Sequence, residues 1–439
     1  MSLRHGLTPR VKPVGPRKSS VVSVLDIGTN KVVCLVARLD PMEANASLRG
    51  RTHMGQILGI GHQRSQGLKA GVINDLELAE ETIRQTVHAA KRMAKVQVKS
   101  SIVNISGGRL SSEALEGRAD TRGRPVSDGD VRLALSRASA NAARPGRAVM
   151  HALPTSFALD AVNGVRDPRG MVGETLGFGM TVVSADVTSV RNLMLAVERC
   201  HIEVEGVVAS PFACGLSTLV DDEAEMGAVV VDLGAGTTTI GVFAGGRLVH
   251  ADGVAVGGNH VTLDVARGLS TRLSAAERLK TLYGSTIATA SDDRETIAVP
   301  TVDSQETAEE AHIPRAQLVR IIKPRVEEIL EFVRDRLRKS GIVPEGRRYV
   351  LTGGASQLTG LAETASRILS KQIRVGRPLG VKGLPEAAKG PAFAAAIGLL
   401  IYPQIADVEH FEPRAESGML AAGGDGYFAR VGRWIKESF

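Results

Sequence analysis

Three cysteines among 439 residues, Cys34, Cys200 and Cys214, are too few and too scattered for a disulfide framework or a zinc site. No Cys or His pair has metal-ligand spacing, and reduced thiols are the simplest reading. Long apolar runs are missing as well. The longest, 393–402 between Pro391 and Pro403, is about half of the roughly 20 residues that a membrane-crossing helix needs. Basic residues open the chain but no apolar stretch follows them, which excludes a secretory signal. Aromatic residues are scarce: nine Phe, four Tyr and one Trp. Four of them, Tyr427, Phe428, Trp434 and Phe439, fall within 427–439. What is present is ordinary for a folded protein, 43% hydrophobic and 23% charged residues. That excludes a disordered or collagenous chain, and the length allows about two to four domains.

The net charge of +7 is not spread evenly. Residues 1–20 carry Arg4, Arg10, Lys12, Arg17 and Lys18 and no acid. Residues 427–439 carry Arg430, Arg433, Lys436 and Glu437, so the stretch between the two ends, 21–426, sums to zero. A neutral body argues against a broad nucleic-acid face. Two basic ends point to contact with something anionic.

Segment 1–20, with Pro9, Pro13 and Pro16, reads as a disordered basic tail. Strands are expected at 21–27 and 31–37, joined at Gly28-Thr29-Asn30, and at 55–61. From Asp75, a plausible N-cap, apolar residues at Leu76, Ala79, Ile83, Val87, Ala90 and Ala94 form one helical face. A strand is expected at 101–106. The texture then changes: 107–184 is rich in Gly, Arg and Ser and reads as an inserted small α+β domain. A second strand–turn–strand unit begins near 229. Segment 262–337 reads as mostly helical with a polar stretch near 291–312, and 391–402 as a small-residue helix.

The two strand–turn–strand units match. Asp26-x-Gly28-Thr29 and Asp232-x-Gly234-x-Gly236-Thr237-Thr238 each place an aspartate at the end of a buried strand before a tight Gly/Thr hairpin. Glycine lets the backbone approach a phosphate, and its N–H groups make an anion-binding concavity. Hydroxyls of Thr29, Thr237 and Thr238 add donors. Asp26 and Asp232 would hold a hydrated Mg²⁺. Two facing hairpins would clamp a triphosphate between two domains. Either hairpin alone is also compatible with an ordinary glycine-rich β-turn. A third element, Thr352-Gly353-Gly354-Ala355-Ser356 before a helix, suits close approach by a sugar or base.

In this order the three motifs resemble the actin, sugar-kinase and heat-shock-chaperone ATPase superfamily. Within it the chain is similar to the FtsA family of bacterial cell-division proteins. The likeness runs over about 21–403 and resumes at 427–439. It is carried also by Ile105-Ser106-Gly107-Gly108, His151-Ala152-Leu153-Pro154 and Gly257-Gly258-Asn259-His260-Val261-Thr262.

The resemblance implies an α/β actin-like ATPase fold, two duplicated α/β domains around a nucleotide cleft with an inserted small α+β domain. The implied division is 1–20 tail; 21–106 and 185–220 first subdomain; 107–184 inserted division-specific subdomain; 221–261 core of the second domain; 262–340 outer helical subdomain; 341–406 remaining core and hinge helix; 407–426 flexible linker; 427–439 membrane-targeting helix. It also implies ATP and Mg²⁺. Asp26, Gly28, Thr29 and Lys31 match the first phosphate motif. Asp232, Gly234, Gly236 and Thr237 match the second. Gly353 and Gly354 match the adenosine motif, and Glu277 and Lys280 stand where relatives flank the adenosine. Asn30 stands where many members carry a hydroxyl, and its amide can still donate. The helices at 211–219 and 391–402 resemble the two crossing helices of the hinge, with Ala213, Gly215 and Gly398 small enough to permit the crossing. The implied partners are the tubulin-like ring protein FtsZ, other division proteins, further copies of the chain in filaments, and the cytoplasmic face of the cell membrane at the division site. Neither a catalytic residue nor a well-placed general base is visible, which implies weak ATPase activity at most, and His260 reads as structural.

Placed on a helix, Tyr427, Phe428, Val431, Trp434, Ile435 and Phe439 share one face, with Arg430, Arg433 and Lys436 elsewhere. This suits a peripheral helix lying in the interface of an anionic membrane. The bland alternative is a helix docked on the protein's own core. A functional alternative is a soluble ATP-dependent enzyme of the same superfamily, a small-molecule kinase or reactivating factor, or an actin-like scaffold of a pilus machine.

Overall fold

The computed structural model describes residues 8–42, 51–140, 142–165, 167–300, 310–342 and 348–406. The first domain opens with β1 (Ser20–Ile27), β2 (Lys31–Pro41) and β3 (His53–Arg64). The short strands β4 (Leu68–Lys69) and β5 (Val72–Ile73), helix α1 (Leu76–Ala94) and β6 (Ser100–Ile105) follow. Next come β7 (Ser111–Asp120), α2 (Asp128–Ser139), β8 (Arg147–Leu159), β9 (Val162–Val165) and β10 (Thr175–Asp186). The chain then returns through α3 (Val187–Glu198), β11 (Glu203–Ala209) and α4 (Ser210–Thr218). The second domain holds α5 (Asp221–Met226), β12 (Ala228–Leu233), β13 (Thr238–Ala244), β14 (Arg247–Val254), α6 (Gly258–Gly268) and α7 (Leu273–Tyr283). It continues through β15 (Thr296–Pro300), β16 (Glu310–Pro314), α8 (Arg315–Ser340), β17 (Arg348–Thr352), α9 (Leu361–Leu369) and β18 (Ile373–Val375). Strand β19 (Val381–Lys382) and helix α10 (Ala394–Ile401) complete it.

The repeat seen in the sequence is a repeat of topology. β1 pairs antiparallel with β2 and parallel with β6. β12 pairs antiparallel with β13 and parallel with β17. Val229, Val230 and Val231 are fully buried, as a strand covered on both faces requires. One sheet runs β11-β6-β1-β2-β3-β19. Helix α1 lies against its β3, where a Cβ on Gly61 would stand 1.9 Å from the Thr86 carbonyl. Asp75 caps α1 by accepting from the Leu78 N–H at 3.1 Å.

The second sheet runs β18-β17-β12-β13-β14-β7-β10-β8-β9. The inserted segment therefore leaves the first domain in sequence but extends the sheet of the second in space. The joint holds Asp252 opposite Ser111, the Ser112 hydroxyl accepting from the Ala251 N–H at 2.8 Å and paired with His250 Nδ1 at 3.0 Å, Thr181 donating to the Val249 carbonyl at 3.1 Å, and Arg247 donating to the Thr155 carbonyl at 2.5 Å. The insert has its own core, with Phe157 and Phe178 rings 5.2 Å apart.

The polar stretch expected near 291–312 contains the hairpin β15–β16. The expected helix 391–402 begins with a single 3₁₀ turn at Pro391–Phe393 before α10. The reading of 1–20 as a disordered tail is corrected for residues 8–19. Thr8 donates from both N–H and hydroxyl to the Val149 carbonyl, at 3.1 and 3.3 Å. Val11 joins the first domain's core, and Val14 N–H donates to the Pro403 carbonyl at 3.1 Å. Pro9, Pro13 and Pro16 already restrict the backbone, which lowers the entropy lost on docking. The linker 407–426 and the segment 427–439 lie outside the described residues. No helix among the described residues is long and apolar enough to cross a membrane.

Candidate functional site

The two hairpins close by the same bond. Gly28 N–H donates to the Lys31 carbonyl at 3.0 Å, and Gly234 N–H to the Thr237 carbonyl at 2.9 Å. Their tips meet: a Cβ on Gly236 would stand 2.4 Å from the Thr29 hydroxyl oxygen. The third motif packs on the second hairpin, with Gly353 at φ +83° and a Cβ there falling 2.3 Å from an Asp232 carboxylate oxygen. Only glycine tolerates that backbone and that approach together. Helix α6 starts on the same hairpin, through Gly258 N–H to the Gly234 carbonyl and Asn259 N–H to the Ala235 carbonyl, 2.9 and 2.8 Å.

Together these turns wall a cavity of about 510 Å³. Asp26, Gly28, Thr29, Asn30, Lys31, Asp232, Gly234, Gly236, Thr237, Glu277, Lys280, Gly353 and Gly354 all line it. Thr238 does not: it is fully buried, and its hydroxyl donates to the Val256 carbonyl at 2.8 Å. The Thr29 hydroxyl accepts from the Gly71 N–H at 3.0 Å. At one end the wall is apolar, formed by Val326, Ile329, Leu330, Leu358 and Leu361. Beside it Lys280 donates to Glu277 at 2.7 Å, to the Thr262 hydroxyl at 2.9 Å and to the Gly258 carbonyl at 3.2 Å. A flat apolar slot with polar groups at its rim suits a base and its sugar.

The opposite end holds the charges. Asp26 and Asp232 close the strands, with Lys31 between the domains. Burial raises the Asp26 carboxyl above the usual carboxylate range, against the pull of Lys31 and the Asn104 amide. Burial, and then the Asp26 charge, push Asp232 up to about 6. Burial lowers the Lys31 ammonium, opposed by Asp26 and Asp232. The Lys31 ammonium donates to the Ala392 carbonyl and sits 3.7 Å above the Phe393 ring centre. Two carboxylates fit a hydrated divalent cation whose other ligands are water and phosphate oxygens. Among the described residues no group of three or more His, Cys, Asp or Glu could hold a metal without such help. No histidine lines the cavity. His260 is instead a capping residue, its Nδ1 accepting from the Gly257 N–H at 3.2 Å.

Asn104, Ser106, Ser210, Gly257, Gly258 and Asn259 also line the cavity and were not singled out from the sequence as site residues. Asn104 is the most informative. Its amide donates to Asp26 at 2.7 Å and to the Ser210 hydroxyl at 3.1 Å, and its oxygen accepts from the Ile27 N–H at 2.7 Å. It thus orients the carboxylate and ties the phosphate strand to the first turn of α4. A polar side chain inside the otherwise apolar strand Ile102–Val103–Ile105 was the available signal. Asn104→Leu, nearly isosteric, strands a buried N–H and frees Asp26. It should cost about 2–4 kcal/mol, read by urea unfolding without ligand. A change under about 0.5 kcal/mol would show that water replaces the amide.

Comparison with known proteins matches this geometry. The family model "Cell division protein FtsA" covers residues 229–398, and "SHS2 domain inserted in FTSA" covers 107–184. The chain is 52% identical to the cell division protein FtsA of Rhizobium meliloti (strain 1021), covering 100% of this chain and 99% of that one. It is 32% identical to the FtsA of Pseudomonas aeruginosa, over 94% and 97% of the two chains. Among solved structures it is similar to the PilM–PilN type IV pilus biogenesis complex, with TM-score 0.60 and 17% identity over 87% of this chain and 98% of that one. It is similar also to MreB5 of Spiroplasma citri bound to ADP, with TM-score 0.51 and 13% identity over 88% and 97%. At such identities the structural neighbours speak for the fold alone, which is actin-like. The full-length relatives speak for more: an actin-like body split by the SHS2 insert places this chain in the FtsA family of cell-division proteins.

Proposed function

We propose that the chain binds Mg-ATP between its two domains, self-assembles, and tethers the FtsZ ring to the cytoplasmic face of the cell membrane, where it recruits later division proteins. The observation that carries the nucleotide part is the single cavity in which both phosphate hairpins and the Gly353–Gly354 turn converge. Asp26 and Asp232 would hold the Mg²⁺, which neutralises charge between phosphates when bound. Backbone N–H groups of the hairpins take the phosphate oxygens. The apolar slot takes the base, and Glu277 and Lys280 take the sugar side. A ligand held by both hairpins favours the closed arrangement of the domains, so ATP acts as a conformational switch. Among the described residues no histidine lines the cavity, and Glu277 is engaged by Lys280, which supports slow turnover at most.

The membrane part rests on the sequence of 427–439. Thirteen residues are marginal as a helix in water. Arg430, Arg433 and Lys436 each contribute about 1 kcal/mol at an anionic surface. One anchor is therefore weak, and a polymer presenting many binds far more tightly. Trp434 is the sole tryptophan, so intrinsic emission reports this segment directly. Titration with anionic vesicles should shift the emission to the blue, and the transition should sharpen with Mg-ATP. Emission already blue in buffer and unchanged by lipid would sink the anchor and favour a soluble enzyme.

A further inference from the structure

The cationic ends of this chain are far apart in sequence, and the structure brings the first of them to the point where the second departs. Val14 N–H bonds the Pro403 carbonyl at 3.1 Å. His53 bonds both the strap and Gln404. Its backbone N–H donates to the Gln404 side-chain oxygen at 3.0 Å, and its ring Nε2 donates to the Lys18 carbonyl at 3.2 Å. The Lys18 carbonyl can only accept, which puts the proton on Nε2 and lets Nδ1 accept from the Thr52 hydroxyl at 2.7 Å. The strap 14–18 therefore lies beside 403–404, within three residues of the last described one, Ala406.

Docking uses backbone groups, two hydroxyls and Val11, and leaves three cations outside. Lys12, Arg17 and Lys18 are exposed, while Thr8 and Val11 face inward. The carboxylate that the strap touches, Asp40, is already matched by Arg38 at 2.8 Å and by the Ser19 hydroxyl at 3.0 Å. Because 21–426 sums to zero, the net positive charge of the chain comes from its two ends.

We propose that the docked strap 8–19 is a second membrane contact, a cationic surface for anionic lipid headgroups placed beside the root of the C-terminal segment. It rests on the reading of 427–439 as a membrane anchor. A cation near an anionic bilayer strengthens binding about fivefold. Lys12, Arg17 and Lys18 on a folded strap also orient the body at the surface. Long range and salt sensitivity follow from the screening length of about 8–10 Å.

The test is co-sedimentation of the full chain with vesicles of phosphatidylcholine alone and of phosphatidylcholine with phosphatidylglycerol. Four proteins are compared: wild type, the triple variant Lys12→Gln/Arg17→Gln/Lys18→Gln, Trp434→Glu, and their combination. The strap is held by backbone groups, the Thr8 and Ser19 hydroxyls and the Val11 side chain, while the three substituted side chains are exposed, so the triple variant should keep the wild-type unfolding midpoint. It should bind the anionic vesicles at least tenfold more weakly, with a shallower salt dependence, and match wild type on phosphatidylcholine. Wild-type binding to anionic vesicles would overturn the strap, and so would an equal loss on both vesicle types. Trp434→Glu separates the two claims. If it alone loses binding, the anchor stands and the strap falls. If it binds as wild type while the triple variant does not, the strap stands and the anchor reading falls.

Discussion

Gly398→Ala should destabilise the protein by more than about 3 kcal/mol, although the same change at an open helical position stabilises by about 0.5–1 kcal/mol. Helices α4 and α10 cross at this residue. An added Cβ would stand 1.8 Å from the Ala213 carbonyl oxygen and 2.3 Å from its carbon. Both are backbone atoms, so no rotamer change relieves the clash and the helices must separate. Overpacking by one methyl costs about 1–3 kcal/mol where side chains yield, and here they cannot. Separation would also strain the Ser217 hydroxyl bond to the Ala394 carbonyl, 2.7 Å long. Gly129→Ala, at the start of α2, is the control: its Cβ would meet only the Ser127 hydroxyl at an ordinary 3.4 Å. Thermal unfolding of the two variants should move the midpoint in opposite directions, or leave the control unmoved. A neutral Gly398→Ala would mean that the crossing is loose.

That crossing shows what sequence could and could not reveal. Small residues in two apolar helices pointed to a close approach, and Gly398 makes it. Gly215 was grouped with Gly398, yet it faces the Phe243 ring, where a Cβ would stand 2.0 Å from Cζ. Composition supplies the need for a small residue and not the identity of the neighbour. The two matched hairpins were legible because everything their turns require, the aspartate, the glycines and the turn, lies within seven residues. Asn104 was not, because its partner Asp26 is 78 residues away and only the parallel pairing of β1 with β6 joins them. The strap reads as disordered on composition, rich in proline and cations. Its order comes from receptors on three distant elements: Val149, Gly206 and Pro403. The insert was visible as a change of texture at 107, but its attachment to β14 depends on a pairing that no local pattern encodes.

The largest effect on ligand binding is expected at Asp232. Asp232→Asn should lower Mg-nucleotide affinity at least a hundredfold, measured by calorimetric titration with and without Mg²⁺, since an uncompensated charge at a buried site costs about 3–5 kcal/mol. It should at the same time stabilise the ligand-free fold at neutral pH. The sign follows from burial. Asp232 is pushed from 3.8 up to about 6 in the folded chain, so between those values the folded state holds a proton that the unfolded state has released. Stability from this group is present at the low end of that window and is lost as pH rises through about 6. Asparagine carries no charge to desolvate and keeps an acceptor for the Cys214 thiol and the Thr239 hydroxyl, which stands 3.5 Å away. The stability difference between variant and wild type should therefore open between pH 4 and 6 and stay constant above. Cys214 couples the same carboxylate to α4. Burial holds its thiol well above its ordinary value, and the charges of Asp232 and Asp26 add to that. If Asp232→Asn were destabilising at pH 7 and neutral at pH 4, the carboxylate would be a structural anion held by its hydrogen bonds, and the proposed role in binding a Mg-nucleotide would pass to Asp26, which Asn104 orients.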